Sequence, residues 1–308
     1  MRAWGSRSRR IQRRPSARLA LTVLATLVVG ALAAGTVGQA GAAAEPRPGA
    51  ATPGAAAPAL PRAGTARPAT APVTSTATST GISTAIPTTT RCPAPARRAL
   101  SQAPRAAGAS RSTRTVALTF DDGPGPVTED VLAILRAEHV RATFFLIGSA
   151  VDAHPQLARR IVAEGHLVGD HSYTHASFAR LSPGGQRAEL RRADRAIAAA
   201  TGVRPCWFRP PYGALGASTV TLARARGEST VIWTVDTLDW TASTRLRAAD
   251  QRAIAARARA GTALTHPVVL MHDGGPARPN MLHELPGIIA WYRAHGYTFV
   301  GLDGRPAA

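Results

Sequence analysis

From Thr115 onward, short apolar runs alternate with amphipathic stretches, a pattern that predicts strands followed by helices. Such alternation is typical of parallel strands joined by right-handed crossovers. We expect an α/β fold, an incomplete (β/α)7 barrel that resembles a distorted TIM barrel. The predicted strands are Val116–Phe120, Thr143–Ile147, Leu167–Gly169, Trp207–Phe208, Thr230–Val235, Val268–Met271 and Thr298–Val300. The predicted helices are Glu129–Glu138, Gln156–Ala163, Gln186–Ala200, Ala217–Ala225, Ala248–Ala260 and Leu282–Ala294.

Polar side chains follow the predicted strands at the points where the strands end. Because parallel α/β folds collect their active sites at the carboxyl ends of strands, we expect these side chains to meet at one edge of the sheet. The residues concerned are Asp121 and Asp122 after the first strand, His171 after the third, Arg209 after the fourth, Asp236 and Asp239 after the fifth and His272 after the sixth.

The first 44 residues have the order of a secretory signal peptide. Seven arginines lie within Met1–Arg18, the run Leu19–Gly35 is apolar and uncharged, and small residues follow up to Ala44. An uncleaved membrane anchor is the alternative, since a run of 17 residues is at the lower limit for spanning a bilayer. Both interpretations place the rest of the chain outside the cytoplasm, secreted or at the cell surface.

Residues 45–114 are rich in Ala, Pro, Thr and Ser and contain few large apolar side chains, so we expect a disordered linker. The catalytic domain is predicted over residues 115–308. The formal charge of the chain is +19, but residues 115–308 carry only +4 of it. This distribution argues against a nucleic-acid-binding domain and favours a basic tail that faces an anionic membrane or wall surface.

The chain contains two cysteines, Cys92 and Cys206. In an exported protein a pair of cysteines favours a disulfide, which here would join the linker to the domain. Two free thiols are the alternative.

Two motifs supply a candidate metal site. Thr119–Pro124 places Asp121 and Asp122 side by side on a Gly-Pro turn, and His171–His175 places two imidazoles four residues apart. One carboxylate and two imidazoles leave coordination positions open for water and substrate, as catalytic metal sites require. Taken singly, the Asp pair could be a capped helix entry and the His pair could be surface residues.

Three further clusters follow along the chain. Arg209–Gly213 is an Arg-Pro-Pro-Tyr-Gly turn whose two prolines fix the backbone, so its Arg could orient a carboxylate. Asp236–Trp240 combines two acids with an aromatic ring, and Leu270–Gly275 ends a strand on a histidine that could donate a proton.

These five clusters, in this order and spacing, resemble the motifs of the polysaccharide deacetylases (carbohydrate esterase family four, the NodB-homology domain), over about Thr115 to Leu302. The resemblance implies hydrolysis of an acetamide by a metal-activated water. The metal ligands it implies are Asp122, His171 and His175. The catalytic groups are Asp121 as base, oriented by Arg209, and His272 as acid, held by Asp239. The substrate-binding groups are the Tyr212 backbone N–H for the oxyanion, and Trp240 and Leu270 around the acetyl methyl. Asp236 is assigned, like Arg209 and Asp239, to the residues that support the catalytic groups.

We therefore expect a secreted, metal-dependent polysaccharide deacetylase, a hydrolase acting on carbon–nitrogen bonds other than peptide bonds. Its partner would be a glycan polymer with N-acetylglucosamine, peptidoglycan or chitin-like; the membrane would be reached only through the N-terminal segment, and no nucleic acid would be bound. The expected metal is zinc, with cobalt or nickel as alternatives, and the expected state is a monomer. An O-deacetylase of acetylated xylan and a non-catalytic wall glycan-binding protein are the competing interpretations.

Overall fold

Eight parallel strands curl into a half-barrel in the part of the chain that the structure, a computed structural model, describes, residues 92–106 and 112–307. The strands are β1 (Arg114–Asp121), β2 (Thr143–Leu146), β3 (Leu167–Asp170), β4 (Trp207–Phe208), β5 (Ser229–Thr230), β6 (Val235–Asp236), β7 (Val268–His272) and β8 (Tyr297–Phe299). The helices are α1 (Thr128–Ala137), α2 (Gly148–Ala153), α3 (Pro155–Ala163), α4 (Pro183–Thr201), α5 (Thr219–Ala225), α6 (Ala248–Ala260) and α7 (Pro279–Ala294).

The strand order confirms the predicted incomplete barrel. The sheet runs β5-β4-β3-β2-β1-β7-β6, and β8 pairs with the beginning of β1. Asp121 at the end of β1 pairs in register with Phe145 of β2 and with His272 of β7. The carboxyl ends of these neighbouring strands therefore lie at the same edge of the sheet.

Alternation along β1 separates the two layers of the core. Val116, Leu118 and Phe120 face the helices and belong to the larger apolar cluster, with α1, α6 and α7. Ala117 faces the opposite side and packs in the interior of the curled sheet. Because side chains alternate, Asp121 points to the same side as Ala117, toward the interior.

Two elements differ from the sequence prediction. The fifth predicted strand, Thr230–Val235, is split into β5 and β6, so the described residues contain eight strands instead of seven. The split occurs because the chain changes neighbours there: Val231 pairs with Leu100, whereas Thr234 donates to the carbonyl of Val268. Helix α2 is too short, at six residues, for a recognisable apolar period.

Residues 92–106 pack against the domain, although the sequence assigns them to the linker. Cys92 and Cys206 form the predicted disulfide, with Cα atoms 5.2 Å apart. Leu100 donates to Thr230 at 2.8 Å, and Ala103 donates to His266 at 2.9 Å. This stretch thus joins the end of β5 to the residues before β7, and the linker contains a segment that belongs to the folded part.

The predicted signal peptide, residues 1–44, and the linker up to residue 91 lie outside the described residues. None of the helices that the structure describes is both long and apolar enough to cross a membrane.

Candidate active site

The predicted site residues surround one cleft at the carboxyl ends of the strands. The cleft has a volume of about 520 Å³. Two predicted residues, Arg209 and Asp239, are buried and act on the cleft through the side chains that they bind. The cleft is lined by Asp121, Asp122, His171, His175, Tyr212, Trp233, Asp236, Trp240, Leu270, His272, Pro276 and Arg278.

Asp122, His171 and His175 form a cluster that could hold a metal ion, their donor atoms lying within 4.8 Å of one another. The Nε2 atoms of His171 and His175 lie 3.5 and 3.1 Å from Asp122 Oδ1. Burial opposes the ionisation of Asp122, but the two imidazoles outweigh it and hold the pKa of this carboxyl well below its usual range. The cluster therefore presents an ionised carboxylate between two nitrogen donors.

Two observations show that these residues fit a divalent cation. Asp122 Oδ1 is buried and accepts no hydrogen bond of good geometry, although His175 Nε2 lies 3.1 Å away. The Nδ1 of His171 lies 2.7 Å from the carbonyl oxygen of Arg209, which fixes a proton on Nδ1. A metal ion would therefore bind at Nε2, and it would displace the proton that this nitrogen shares with Asp122 when no metal is bound. Two imidazole nitrogens and one carboxylate oxygen are ligands that suit zinc and similar ions.

Asp121 is held in place by the fully buried Arg209. The Arg209 Nη1 donates to Asp121 Oδ1 at 2.8 Å and to Thr119 Oγ1 at 2.8 Å. The guanidinium also lies over the ring of Phe145, with 4.1 Å between its carbon and the ring centroid. The other carboxylate oxygen, Asp121 Oδ2, lies 3.7 Å from His171 Nε2 and faces the metal-ligand cluster. One oxygen is thus fixed by the cation and the second is available in the cleft.

His272 lies across the cleft and is paired with the buried Asp239. Its Nδ1 lies 2.8 Å from Asp239 Oδ1, and its backbone N–H donates to Asp239 Oδ2 at 2.9 Å. Thr237 donates to the carbonyl of Leu270 at 2.8 Å and so fixes the loop that carries Asp239. Burial disfavours the imidazolium, yet the hydrogen bond and charge of Asp239 raise the pKa of His272 above its ordinary value. The raised pKa favours the protonated ring, whose Nε2 faces the cleft as a possible proton donor.

Left-handed backbone conformations are concentrated at this edge of the sheet. Positive φ angles occur at Asp122 (72°), Ser172 (66°), His175 (60°), Tyr212 (61°) and Leu238 (53°). Such conformations are unfavourable for residues with a Cβ atom, and the surrounding structure must stabilise them. These conformations turn the chain sharply after the strands. The loops that carry the metal-ligand cluster and Tyr212 therefore do not simply continue the direction of the strands.

Two glycines allow the first and last motifs to touch. A Cβ atom on Gly123 would lie 2.3 Å from Asp273 Oδ2, and one on Gly274 would lie 2.0 Å from the carbonyl oxygen of Asp122. A side chain at either position would push the Asp121–Asp122 turn away from His272. The glycines of both motifs are thus required by the close approach of two loops.

Glu189, on α4, supports the loop between the two histidines, and the sequence analysis does not identify it. Its Oε2 accepts hydrogen bonds from the backbone N–H groups of Tyr173 at 3.0 Å and Thr174 at 2.7 Å. The carboxylate of Asp170 accepts from Ser172 N at 2.6 Å at the other end of the loop. These contacts form only because α4 packs against this loop, and no local sequence motif predicts them.

The structure also adds three residues to the cleft wall, Trp233, Pro276 and Arg278. Of the predicted substrate-binding residues, Tyr212 and Trp240 are exposed and Leu270 is buried, and all three line the cleft. Asp236 lines it too, and one of its oxygens accepts from Leu238 N at 2.8 Å.

Comparison with known proteins finds relatives of this chain. The family model described as polysaccharide deacetylase matches residues 108–231. A chitooligosaccharide deacetylase of Bradyrhizobium sp. (strain ANU 289) is 40% identical over 166 residues, which are 53% of this chain and 73% of that protein. A peptidoglycan-N-acetylglucosamine deacetylase of Bacillus cereus is 37% identical over 186 residues, 59% of this chain and 67% of that protein.

A solved structure with the same fold is described as a pseudoenzyme. It is BA3943 from Bacillus anthracis, a CE4 family pseudoenzyme, with 31% sequence identity and a TM-score of 0.56. The match covers 64% of this chain and 68% of that one. Likeness of fold therefore leaves activity to be argued from the residues of the cleft.

Proposed function

Because this chain belongs to the polysaccharide deacetylase family (carbohydrate esterase family four), we propose that it is a metal-dependent N-deacetylase acting on N-acetylglucosamine in peptidoglycan or chitin-like glycans. One observation carries the proposal: an ion-paired carboxylate, an Asp–His–His cluster and an Asp-paired imidazole face the same cleft. Each group needed for amide hydrolysis is present, together with a partner that holds it.

The metal would be held by Asp122, His171 and His175, and zinc is the ion we propose, with cobalt or nickel able to replace it. A divalent cation bound there supplies a Lewis acid for the acetyl carbonyl and lowers the pKa of a bound water to about 7. The carbonyl of Arg209, which binds His171 Nδ1, keeps the ring in the tautomer that such a role requires.

Asp121 acts as the general base in this proposal. Its Oδ2 takes a proton from the attacking water, while Arg209 holds Oδ1 at 2.8 Å and prevents the carboxylate from rotating away. Because Arg209 is also bound to Thr119 and packed on Phe145, the base is held in one orientation before substrate arrives. The backbone N–H of Tyr212 would donate to the oxyanion that forms on the acetyl oxygen.

His272 acts as the general acid. An amine leaves poorly as an anion, so its nitrogen must receive a proton as the carbon–nitrogen bond breaks. Asp239 keeps Nδ1 protonated and stabilises the charged ring, which directs the second proton on Nε2 to the cleft. Trp240 and Leu270 line the same space and would enclose the acetyl methyl group.

The competing functions differ in what they require of this cleft. An alkoxide leaving group, as in acetylated xylan, needs less help from an acid than an amine does, but both reactions would use His272, so the substrate assay below discriminates between them. A glycan-binding protein without activity would not need the buried Arg209–Asp121 pair, since a desolvated ion pair is costly to keep. Export of the protein and attachment by its N-terminal segment remain part of the proposal on the basis of the sequence alone.

The proposal is tested by acetate release from peptidoglycan, chitooligosaccharides and acetylxylan, measured side by side with zinc present. We expect acetate from the first two substrates and little from acetylxylan. Release from acetylxylan alone would support O-deacetylation, and no release from any of the three would overturn the proposal.

A further inference from the structure

A second arginine lines the cleft without a partner. Arg278 is 7% exposed, and its Nε is buried with no hydrogen-bond partner among the described residues. The other buried arginine of the site, Arg209, forms an ion pair with Asp121 at 2.8 Å. A buried guanidinium without a counter-charge is costly, and such a group is kept where a ligand supplies the missing charge.

The position of Arg278 is fixed by its surroundings. It directly precedes α7, so the positive end of this 16-residue helix adds to its charge. Its Nη2 lies 3.2 Å from the place that a Cβ of Gly275 would occupy, and Gly275 has a φ of 73°. The next turn is anchored by Asn280, whose amide donates to the carbonyls of Ser243 and Arg245 at 2.8 Å each.

The matching ligand is a carboxylate, because the planar guanidinium binds its two oxygens together. The two substrate classes proposed above differ in this respect. A chitin-like chain is neutral, whereas peptidoglycan alternates N-acetylglucosamine with N-acetylmuramic acid, which carries a lactyl carboxylate or a stem peptide with carboxylates. The charge of Arg278 therefore distinguishes between the two substrates.

We propose that Arg278 binds a carboxylate of the N-acetylmuramic acid unit next to the reacting N-acetylglucosamine, and so directs this enzyme to peptidoglycan. This inference rests on the proposed function and deepens it. Arg278 is here a specificity-determining residue and takes no part in the proton transfers assigned to Asp121 and His272.

The test compares binding of four oligosaccharides to the full chain by calorimetry, after the metal has been removed with a chelator so that no turnover occurs. The ligands are (GlcNAc)4, (GlcNAc–MurNAc)2, the same tetrasaccharide with its lactyl groups converted to primary amides, and the same tetrasaccharide with stem peptides. The variants are Arg278→Gln and Arg278→Lys, with Arg252→Gln as a control that removes one charge from an exposed position of α6.

We expect Arg278→Gln to weaken binding of a carboxylate-bearing ligand about tenfold, the scale of a charge-assisted pair, and to leave (GlcNAc)4 and the amidated ligand unchanged. Arg278→Lys should retain part of the affinity and Arg252→Gln all of it. An effect on the free lactyl ligand assigns the carboxylate to the lactyl group, and an effect on the peptide ligand alone assigns it to the stem.

Equal loss on neutral and charged ligands, or no loss on any, would overturn the inference. Because binding is measured without turnover, the two proposals fail separately. A wild-type chain that binds the charged ligands selectively but releases no acetate would contradict the proposed function alone. An active enzyme whose Arg278→Gln variant keeps its preference would contradict the inference alone.

Discussion

Two groups of buried carboxylates lie close together in this fold, on either side of the loop that follows β3, and their environments are opposite. At the cleft, the three carboxylates assigned to the reaction have a positive or imidazole partner: Asp121 has Arg209, Asp239 has His272 at 2.8 Å, and Asp122 lies between two imidazoles. The pKa of Asp122 is accordingly held low.

Behind the loop, Asp170 and Glu228 are fully buried, and both have oxygens without a hydrogen-bond partner among the described residues. Burial, and then their mutual repulsion and that of Asp194, raises the pKa of Glu228 well above its usual range, and burial likewise raises that of Asp170. Arg226 lies near Glu228 but is bound to Asp194.

The difference shows that the role of a carboxylate in this domain depends on its partners and its burial, since aspartates occur in both groups. These three cleft acids are held by fixed positive or imidazole partners, which places them to take a proton, bind a cation or orient the acid. The acids behind the loop are stable when protonated, and Asp170 accepts a hydrogen bond from Ser172 N and helps to shape the loop. Substitutions in the cleft should therefore change activity, whereas those behind it should change stability.

The largest effect is expected for Asp122→Ala. It removes the only carboxylate of the described metal-ligand cluster, so zinc binding by calorimetry should weaken strongly and deacetylation should fall by at least ~10³-fold, about 4 kcal/mol of lost transition-state stabilisation. The melting temperature of the metal-free variant should stay close to that of the metal-free wild type. Full activity in this variant would show that deacetylation does not depend on the metal-ligand cluster.

Next in size is His272→Ala, which should lower kcat by about 10²–10⁴-fold, the usual contribution of a general acid. Zinc affinity should remain close to that of the wild type, because His272 is not in the ligand cluster. The control is Asp239→Asn, which keeps the ring and removes its charged partner. A larger loss in the control than in His272→Ala would contradict the assigned roles.

The pH dependence of kcat provides a third test. An acid works only while it is protonated, so activity should fall as pH rises through the pKa of His272, which lies above the ordinary value of about 6.5. Asp239→Asn removes the group that raises this pKa, and the alkaline limb should move to lower pH. An alkaline limb that does not move in this variant would assign it to another group.

A smaller effect is expected for Glu189→Ala, which frees the N–H groups of Tyr173 and Thr174 between the two histidines. Zinc affinity should fall about 10–100-fold, the range for residues that orient metal ligands. Glu189→Gln offers a matched control, because its amide oxygen can accept the same hydrogen bonds and should restore most of the affinity. If both variants bind zinc like the wild type, the loop does not depend on Glu189.

The smallest effect, and of opposite sign, is expected for Glu228→Gln. A carboxyl whose pKa is raised by folding costs stability once the pH exceeds its unfolded value of about 4.3, and the cost is absent below it. The neutral amide should therefore raise the melting temperature by about 2–4 °C near pH 8, the shift that ~1 kcal/mol produces in a domain of this size. This gain in melting temperature should vanish near pH 4, and activity should stay unchanged. A loss of activity would contradict the distinction between cleft acids that act in catalysis and buried acids that affect only stability.

The sequence predicts that these residues meet at one edge of the sheet, because the motifs are local and the strands are parallel. Asp121 and His272 are far apart in the chain, yet each ends a strand, and β1 and β7 pair in register at these residues. The disulfide between Cys92 and Cys206 was also predictable, since the signal-like N-terminal sequence predicts export, and an oxidising compartment favours pairing of the two cysteines.

Other features depend on which surfaces meet, and a single sequence does not contain that information in a local form. Glu189 occupies an ordinary position of α4 and acquires its role only where the helix meets the loop after β3. Leu100 and Ala103 resemble the rest of the linker, and their pairing with the sheet requires the gap between β5 and β7. The split of the fifth predicted strand has the same origin.

The most direct test of the account measures free amine and free acetate in one reaction, with (GlcNAc)4 and peptidoglycan as substrates and zinc present. The wild-type chain should release the two products in equal amounts, and Asp121→Asn, which loses the base but keeps the metal ligands, should release both about 10²–10⁴-fold more slowly. Acetate without a matching amine, or equal rates for the two proteins, would contradict the claim that the paired charges of this cleft perform N-deacetylation.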